Sequence, residues 1–185
     1  MKLLCTRTFK HENPMLHFLC VTLFPTLLMV AAIWDVLTFK IPNWLTLLTA
    51  ALFFPMALAT GLPLDGYIWH IAAGILLFAV GFIMFQFDLL GGGDAKMLAA
   101  AGLWFGMTNI YGFIILAAFA GFLQVSFTVA TSFIMLSLDL EDVSDKSKRL
   151  WSKLLSMTPN VPFGFAIALG GIVAFRGTWW MHALS

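Results

Sequence analysis

Charged residues are scarce in this sequence, and their scarcity indicates the solvent in which the chain folds. Only 10% of the 185 residues are charged, whereas 61% are hydrophobic. A soluble domain normally carries about a quarter charged residues, and a chain of this size cannot bury so much apolar surface from water. The sequence therefore predicts an integral membrane protein, with the lipid bilayer as its surroundings. The net charge of +1, without a basic face, argues against nucleic acid as a partner.

Cysteine is also scarce, which removes several kinds of site. The two cysteines, Cys5 and Cys20, lie too far apart in the sequence to form a CxxC pair. Zinc sites and thiol redox sites are recognised by closely spaced cysteines or histidines. No such motif occurs, so the sequence predicts no metal and no cofactor.

Apolar runs fill most of the chain, and about 20 apolar residues are needed to cross a hydrocarbon core of about 30 Å. The uncharged run 97–138 is long enough for two passes, with a turn near 106–112. The sequence predicts a single all-α membrane domain over 1–185, with a tail at 1–15 and a charged loop at 139–156. About six transmembrane helices are expected, at 16–34, 42–60, 67–87, in the two halves of 97–138, and at 157–175.

Lysine and arginine in the loops predict the orientation, because cytoplasmic loops carry an excess of them. The loops after the first and third helices, with the charged loop, hold six basic residues, and the opposite side holds four. The bias places those three loops in the cytoplasm. Beyond the last helix, Trp179 and Trp180 are expected to anchor the chain at the membrane interface. The six basic residues in the predicted cytoplasmic loops are Lys40, Lys96, Lys146, Lys148, Arg149 and Lys153. The four on the opposite side are Lys2, Arg7, Lys10 and Arg176.

Two acids lie at the predicted cytoplasmic ends of apolar helices. Asp35 ends the first helix, and Asp94 follows three consecutive glycines that let the backbone approach another segment closely. Taken singly, Asp35 is explained equally well as a surface residue and Asp94 as a helix N-cap. Taken together, they fit peptide hydrolysis by two carboxylates that share one proton.

Three motifs occur in order along the chain. Ile41-Pro42-Asn43 follows Asp35, Gly91-Gly92-Gly93 precedes Asp94, and Pro162-Phe163-Gly164 opens a small-residue stretch that ends at Gly170. In this order they resemble the prepilin (type IV pilin) leader peptidases, which are GxGD-type membrane aspartic peptidases. The resemblance extends over nearly the whole chain from about residue 20.

The resemblance implies an aspartic endopeptidase of the bacterial inner membrane, facing the cytoplasm, that removes the short leader from type IV-like prepilins. Asp35 and Asp94 would form the catalytic pair, with neither assigned as the base. The chain lacks a CxxC-bearing region, so it resembles the short, peptidase-only form that serves Flp-type pili, and pilus or secretion assembly proteins are further expected partners. The active-site loop or substrate contacts would involve Gly91, Gly92, Gly93, Lys96, Pro162 and Gly164.

Other interpretations stay open at this point. Paired intramembrane acids also occur in proton- or cation-coupled transporters, although no internal repeat is evident here. A non-catalytic secretion-system subunit would tolerate the loss of both acids. Asp88 is expected to be a solvated helix end, and His70 to hydrogen-bond a neighbouring helix. Lys96 either contacts the site or extends along the helix to the membrane surface.

Overall fold

The computed structural model describes residues 14–137 and 163–182. Most of the predicted tail and the whole loop at 139–156 therefore lie outside the described residues. Within them all regular structure is helical, which confirms the predicted all-α class. The first helix begins at Pro14, just inside the predicted tail. The helices are α1 (Pro14–Thr38), α2 (Asn43–Ala59), α3 (Leu64–Gln86), α4 (Gly92–Ser137), α5 (Phe163–Phe175) and α6 (Trp179–His182).

Three segments of the described helices are long and apolar enough to cross a membrane, namely Val21–Thr38, Leu64–Gln86 and Gly92–Thr131. The helices α2 and α5 are also apolar but shorter. Because α4 is broken, the described residues hold six helical segments of more than three turns, in agreement with the sequence. Many of their large apolar side chains are exposed, as expected for a protein surrounded by lipid.

The break in α4 lies at Gly106, where φ is 62° and ψ is 174°. Glycine is needed there, because this backbone conformation is almost closed to residues with a side chain. The rings of Phe105 and Phe113 stack with centroids 4.4 Å apart, whereas eight residues of straight helix would separate them by about 12 Å. The chain therefore turns back at Gly106, inside the predicted range.

Side chains satisfy the carbonyl groups that this break leaves without helical partners. His70 Nδ1 lies 2.6 Å from Leu103 O, so the predicted interhelical hydrogen bond is present. Trp180 Nε1 donates to Trp104 O at 2.7 Å, and Trp180 is fully buried. The prediction that Trp180 anchors the chain at the membrane interface is therefore wrong, because its indole N–H caps the broken helix inside the protein.

The first helix extends one turn beyond the end that the sequence predicts. Thr38 Oγ1 lies 2.8 Å from Trp34 O and 2.9 Å from Lys40 O, and Phe39 N donates to Asp35 O at 2.7 Å. The helix consequently ends at Thr38, and Asp35 lies within its last turn. Only 2% of Asp35 is exposed, which excludes its interpretation as a surface residue.

Small residues let α5 lie against the second half of α4. A Cβ atom on Gly170 would overlap the backbone of Ala117 and lie 2.8 Å from the carbonyl carbon of Leu116. Small residues of this kind allow the backbones of membrane helices to approach closely. This contact fixes the depth of α5, and with it the position of Gly164 near the start of that helix.

We expect Gly170→Ala to lower the thermal stability of the protein in detergent, because overpacking costs about 1–3 kcal/mol. Gly112→Ala is the matched control, since a Cβ at that helical position meets nothing within 4 Å. Alanine favours a helix over glycine, so the control should unfold at the same or a slightly higher temperature. Equal melting temperatures for the two variants, followed by circular dichroism, would contradict the close α4–α5 contact.

Candidate active site

Asp35 is held by the start of α5. Its Oδ2 accepts a hydrogen bond from the backbone N–H of Gly164 at 2.8 Å. The backbone amide of Phe165 also interacts with this carboxyl group. Amides in the first turn of a helix have no partner within that helix, and they favour a negative charge. The first turn of α5 therefore provides a site for the carboxylate of Asp35.

Asp94 reaches the same place from another helix. It lies in the first turn of α4 and is 7% exposed. Its carboxyl group interacts electrostatically with that of Asp35 and also with the amide of Gly164. Two acids that are distant in the sequence thus lie close together at the start of α5. This is the arrangement that hydrolysis by a pair of carboxylates requires.

One oxygen of the pair has no hydrogen-bond partner among the described residues. Asp94 Oδ1 is buried and makes no hydrogen bond with any residue in the ranges that the structure describes. An unsatisfied buried acceptor costs about 1–3 kcal/mol, and such groups in proteins commonly have a functional explanation. This oxygen is available to accept a hydrogen bond from a reacting water or from substrate.

Ile41 packs between the two glycine-containing segments of the site and is 5% exposed. A Cβ on Gly93 would lie 2.9 Å from the carbonyl oxygen of Ile41, and a Cβ on Gly164 would lie 2.7 Å from its Cδ1. Both glycines are therefore needed for the close approach. Ile41 is not among the predicted site residues, although the Ile-Pro-Asn motif contains it and could have indicated its importance.

The three glycines before Asp94 have different surroundings. A Cβ on Gly91 would lie 2.9 Å from Asp94 Oδ2, and a Cβ on Gly93 would overlap Ile41. A Cβ on Gly92 would meet only the ring of Phe85, at an ordinary distance of 3.4 Å. The structure thus gives a physical reason for the GxGD pattern, in which the first and third positions must be glycine and the second can carry a side chain.

Lys96 lies on the exposed side of α4, away from the buried pair. Its Nζ donates to Asn43 Oδ1 at 2.8 Å. The contact links the start of α4 to the start of α2, and so joins two of the three sequence motifs. A contact between Lys96 and substrate stays a prediction.

The other predicted residues are placed as follows. Gly164 lies next to both acids, whereas Pro162 lies outside the described residues. Asp88 is exposed beyond the end of α3, with a φ of 55°, as expected for a solvated helix end. Within 14–137 and 163–182, no three histidine, cysteine or acidic side chains are grouped so that they could hold a metal ion.

Comparison with known proteins identifies the family. A model of the type IV leader peptidase family matches residues 22–126. The chain belongs to this family. The match includes both acids with the first two motifs and confirms the family resemblance, whereas the third motif, at 162–170, lies outside the matched residues. Neither the search of curated proteins nor the search of solved structures found a match.

We expect Gly93→Ala to lower peptidase activity by about 10- to 100-fold, because a displacement near 1 Å at a catalytic group has effects of this size. The added Cβ would push α4 away from Ile41 and move Asp94 with it. Gly92→Ala is the matched control and should keep its activity, since its Cβ meets only a ring edge. Leader removal by the two variants, normalised to their amounts in the membrane, measures the difference. An equal loss of peptidase activity in both variants would contradict the claim that the close contact between Gly93 and Ile41 positions Asp94.

Proposed function

We propose that this chain is a membrane aspartic endopeptidase that removes the short N-terminal leader from type IV-like prepilins of the Flp type. The proposal rests on one observation: the carboxyl groups of Asp35 and Asp94 both interact with the backbone amide of Gly164. Membership in the type IV leader peptidase family supports a prepilin-like substrate.

The geometry supports hydrolysis by activated water. One carboxylate of the pair takes a proton from a water molecule, and the water oxygen attacks the carbonyl carbon of the scissile peptide. The other, protonated carboxyl group donates its proton to the carbonyl oxygen, which gives a neutral tetrahedral intermediate. The carbon–nitrogen bond then breaks as the leaving amine takes the proton held by the pair, while the other carboxylate takes a hydroxyl proton from the intermediate, so that the new carboxyl group forms and the pair regains its single proton. Neither a covalent enzyme intermediate nor a metal is required. The base is not assigned to one aspartate, because a coupled pair titrates as a unit.

The active site is proposed to face the cytoplasm of a bacterial cell, recessed below the surface of the inner membrane. The excess of lysine and arginine in the loops supports this orientation. The first half of α4 runs only from Gly92 to the break at Gly106. At 1.5 Å per residue this is about 20 Å, which is shorter than a hydrocarbon core of about 30 Å. A leader entering from the cytoplasm would reach Asp94 below the lipid headgroups.

Assembly proteins of a pilus or secretion system would take up the cleaved product.

The family assignment argues against the transporter interpretation. A transporter would use the acids as a proton relay, but the matching family consists of peptidases. A non-catalytic assembly subunit would tolerate neutral residues at positions 35 and 94. The next experiment separates that subunit from an enzyme.

We expect Asp35→Asn and Asp94→Asn each to lower leader removal by at least about 100-fold, because each variant loses one of the two proton-transfer groups. The chain is co-expressed with a small Flp-type prepilin, and loss of the leader is followed by a gel shift. The amount of each variant in the membrane fraction is measured alongside.

Asp88→Asn is the matched control, since it removes an exposed acid close to Asp94 in the sequence. It should process the precursor at the wild-type rate. Normal processing by either Asp35→Asn or Asp94→Asn, at equal abundance, would overturn the two-aspartate mechanism.

A further inference from the structure

A groove runs along the outer surface between α1 and α5, with a cavity volume of about 370 Å³. Nine residues of the described part of the chain line it, and all nine are apolar. On α1 the lining includes Met29, Ile33 and Val36, which are 47–56% exposed. On α5 it includes Phe165, Leu169 and Ile172. We call this feature the α1–α5 groove.

One end of the α1–α5 groove lies beside the candidate active site. Val36 directly follows Asp35, and the backbone amide of Phe165 interacts with the Asp35 carboxyl group. Gly164, the residue before Phe165, donates the hydrogen bond to the same carboxyl. This end of the groove is thus formed by the residues next to Asp35 and Gly164 in the sequence, although neither of those two residues lines it.

The faces of α1 and α5 that line the groove are shaped to hold a third helix between them. The lining positions on each wall recur every three or four residues, so each forms a straight stripe along one helix face. The two helices run in opposite directions, because the end of α1 meets the start of α5 at Asp35. Between Val36 and Met29 the groove extends for about 10 Å, or two helical turns. An apolar helix lying between two such stripes is a common mode of peptide recognition.

A second groove lies between α2, α3 and α4, with a volume of about 520 Å³. Its lining includes the polar Asn43 and the charged Lys96 as well as apolar residues such as Leu47 and Ile75. None of its lining residues contacts the Asp35 carboxyl through a hydrogen bond in the described part of the chain. Because Lys96 is itself a predicted substrate contact, this second groove is the competing position for the substrate, and it serves as the comparison for the first.

We propose that the α1–α5 groove binds the apolar helix of the prepilin substrate, with the scissile peptide at the Val36–Phe165 end. The inference rests on the proposed function and on the family resemblance, which implies a prepilin whose short leader is followed by a hydrophobic helix. A leader peptidase must hold that helix so that the scissile peptide is within reach of its carboxyl groups. A groove whose described lining carries no polar side chain accepts such a helix without leaving buried polar groups unpaired. The helix extends from the active site toward Met29 and Ile172, inside the bilayer.

Site-specific photocrosslinking tests this placement. A photoreactive phenylalanine analogue is introduced at position 33 or 169, and in separate chains at position 47 or 75 of the second groove. The side chains at the control positions are also exposed, 71% for Leu47 and 65% for Ile75. All four chains carry Asp94→Asn, so that the co-expressed Flp-type prepilin stays uncleaved. We expect prepilin adducts from positions 33 and 169 only.

A kinetic comparison provides an independent readout. We expect Leu169→Asn to raise KM by about tenfold with little change in kcat, as expected for the loss of one apolar side-chain contact. Ile75→Asn introduces the same polar group on the other lipid-facing surface and should leave KM unchanged. Equal effects of the two substitutions would argue for a general perturbation in the membrane and against the groove.

The outcomes distinguish a wrong placement of the substrate helix from a wrong proposed function. If the wild-type chain cleaves the prepilin but adducts form from positions 47 and 75, or only with lipid or within the chain itself, the placement is wrong and the function stands. If the wild-type chain does not cleave the prepilin, the proposed function fails and the placement fails with it.

Discussion

The hydrogen bond from the Gly164 amide to Asp35 is the interaction on which the rest of the site depends. It brings the start of α5 against the end of α1, and Asp94 approaches the same amide from α4. The helix starts can approach Asp35 and Ile41 this closely only where no side chain intervenes, which explains the glycines at positions 164 and 93. Ile41 fills the space between them. A side chain added at either glycine would move a carboxyl group, so packing and chemistry are constrained by the same few atoms.

The broken helix α4 determines how deep the pair lies. Its first half ends at Gly106 in the interior, where His70 and Trp180 hydrogen-bond the released carbonyl groups. A break of this kind is stable in lipid only when the freed backbone groups find partners inside the protein. The returning second half of α4 then packs against α5 at Gly170. The turn therefore supports both sides of the site, since it positions Asp94 through the first half and Gly164 through the second.

Local patterns predicted much of this arrangement. Apolar runs indicated the helices, an uncharged run with glycines indicated the break at Gly106, and the motifs around Asp35 and Asp94 indicated the pair. Long-range contacts could not be read in the same way. Trp180 resembles an interface anchor because a tryptophan after an apolar run usually is one, and only the fold shows that it caps Trp104. The packing of Ile41 against Gly93 and Gly164 likewise depends on residues far away in the sequence. The extra turn of α1 is by contrast a local feature, held by hydrogen bonds of Thr38 and Phe39.

Binding of a transition-state mimic tests most directly whether both aspartates act on one reacting group. The mimic is a prepilin peptide in which a hydroxyl-bearing carbon replaces the scissile carbonyl, and its affinity for the purified protein is measured. The account predicts that the wild type binds it at least about 100-fold more tightly than the unmodified peptide, and that either Asp35→Asn or Asp94→Asn removes this advantage. An advantage that survives in one variant would contradict a reacting group held between the two carboxyl groups.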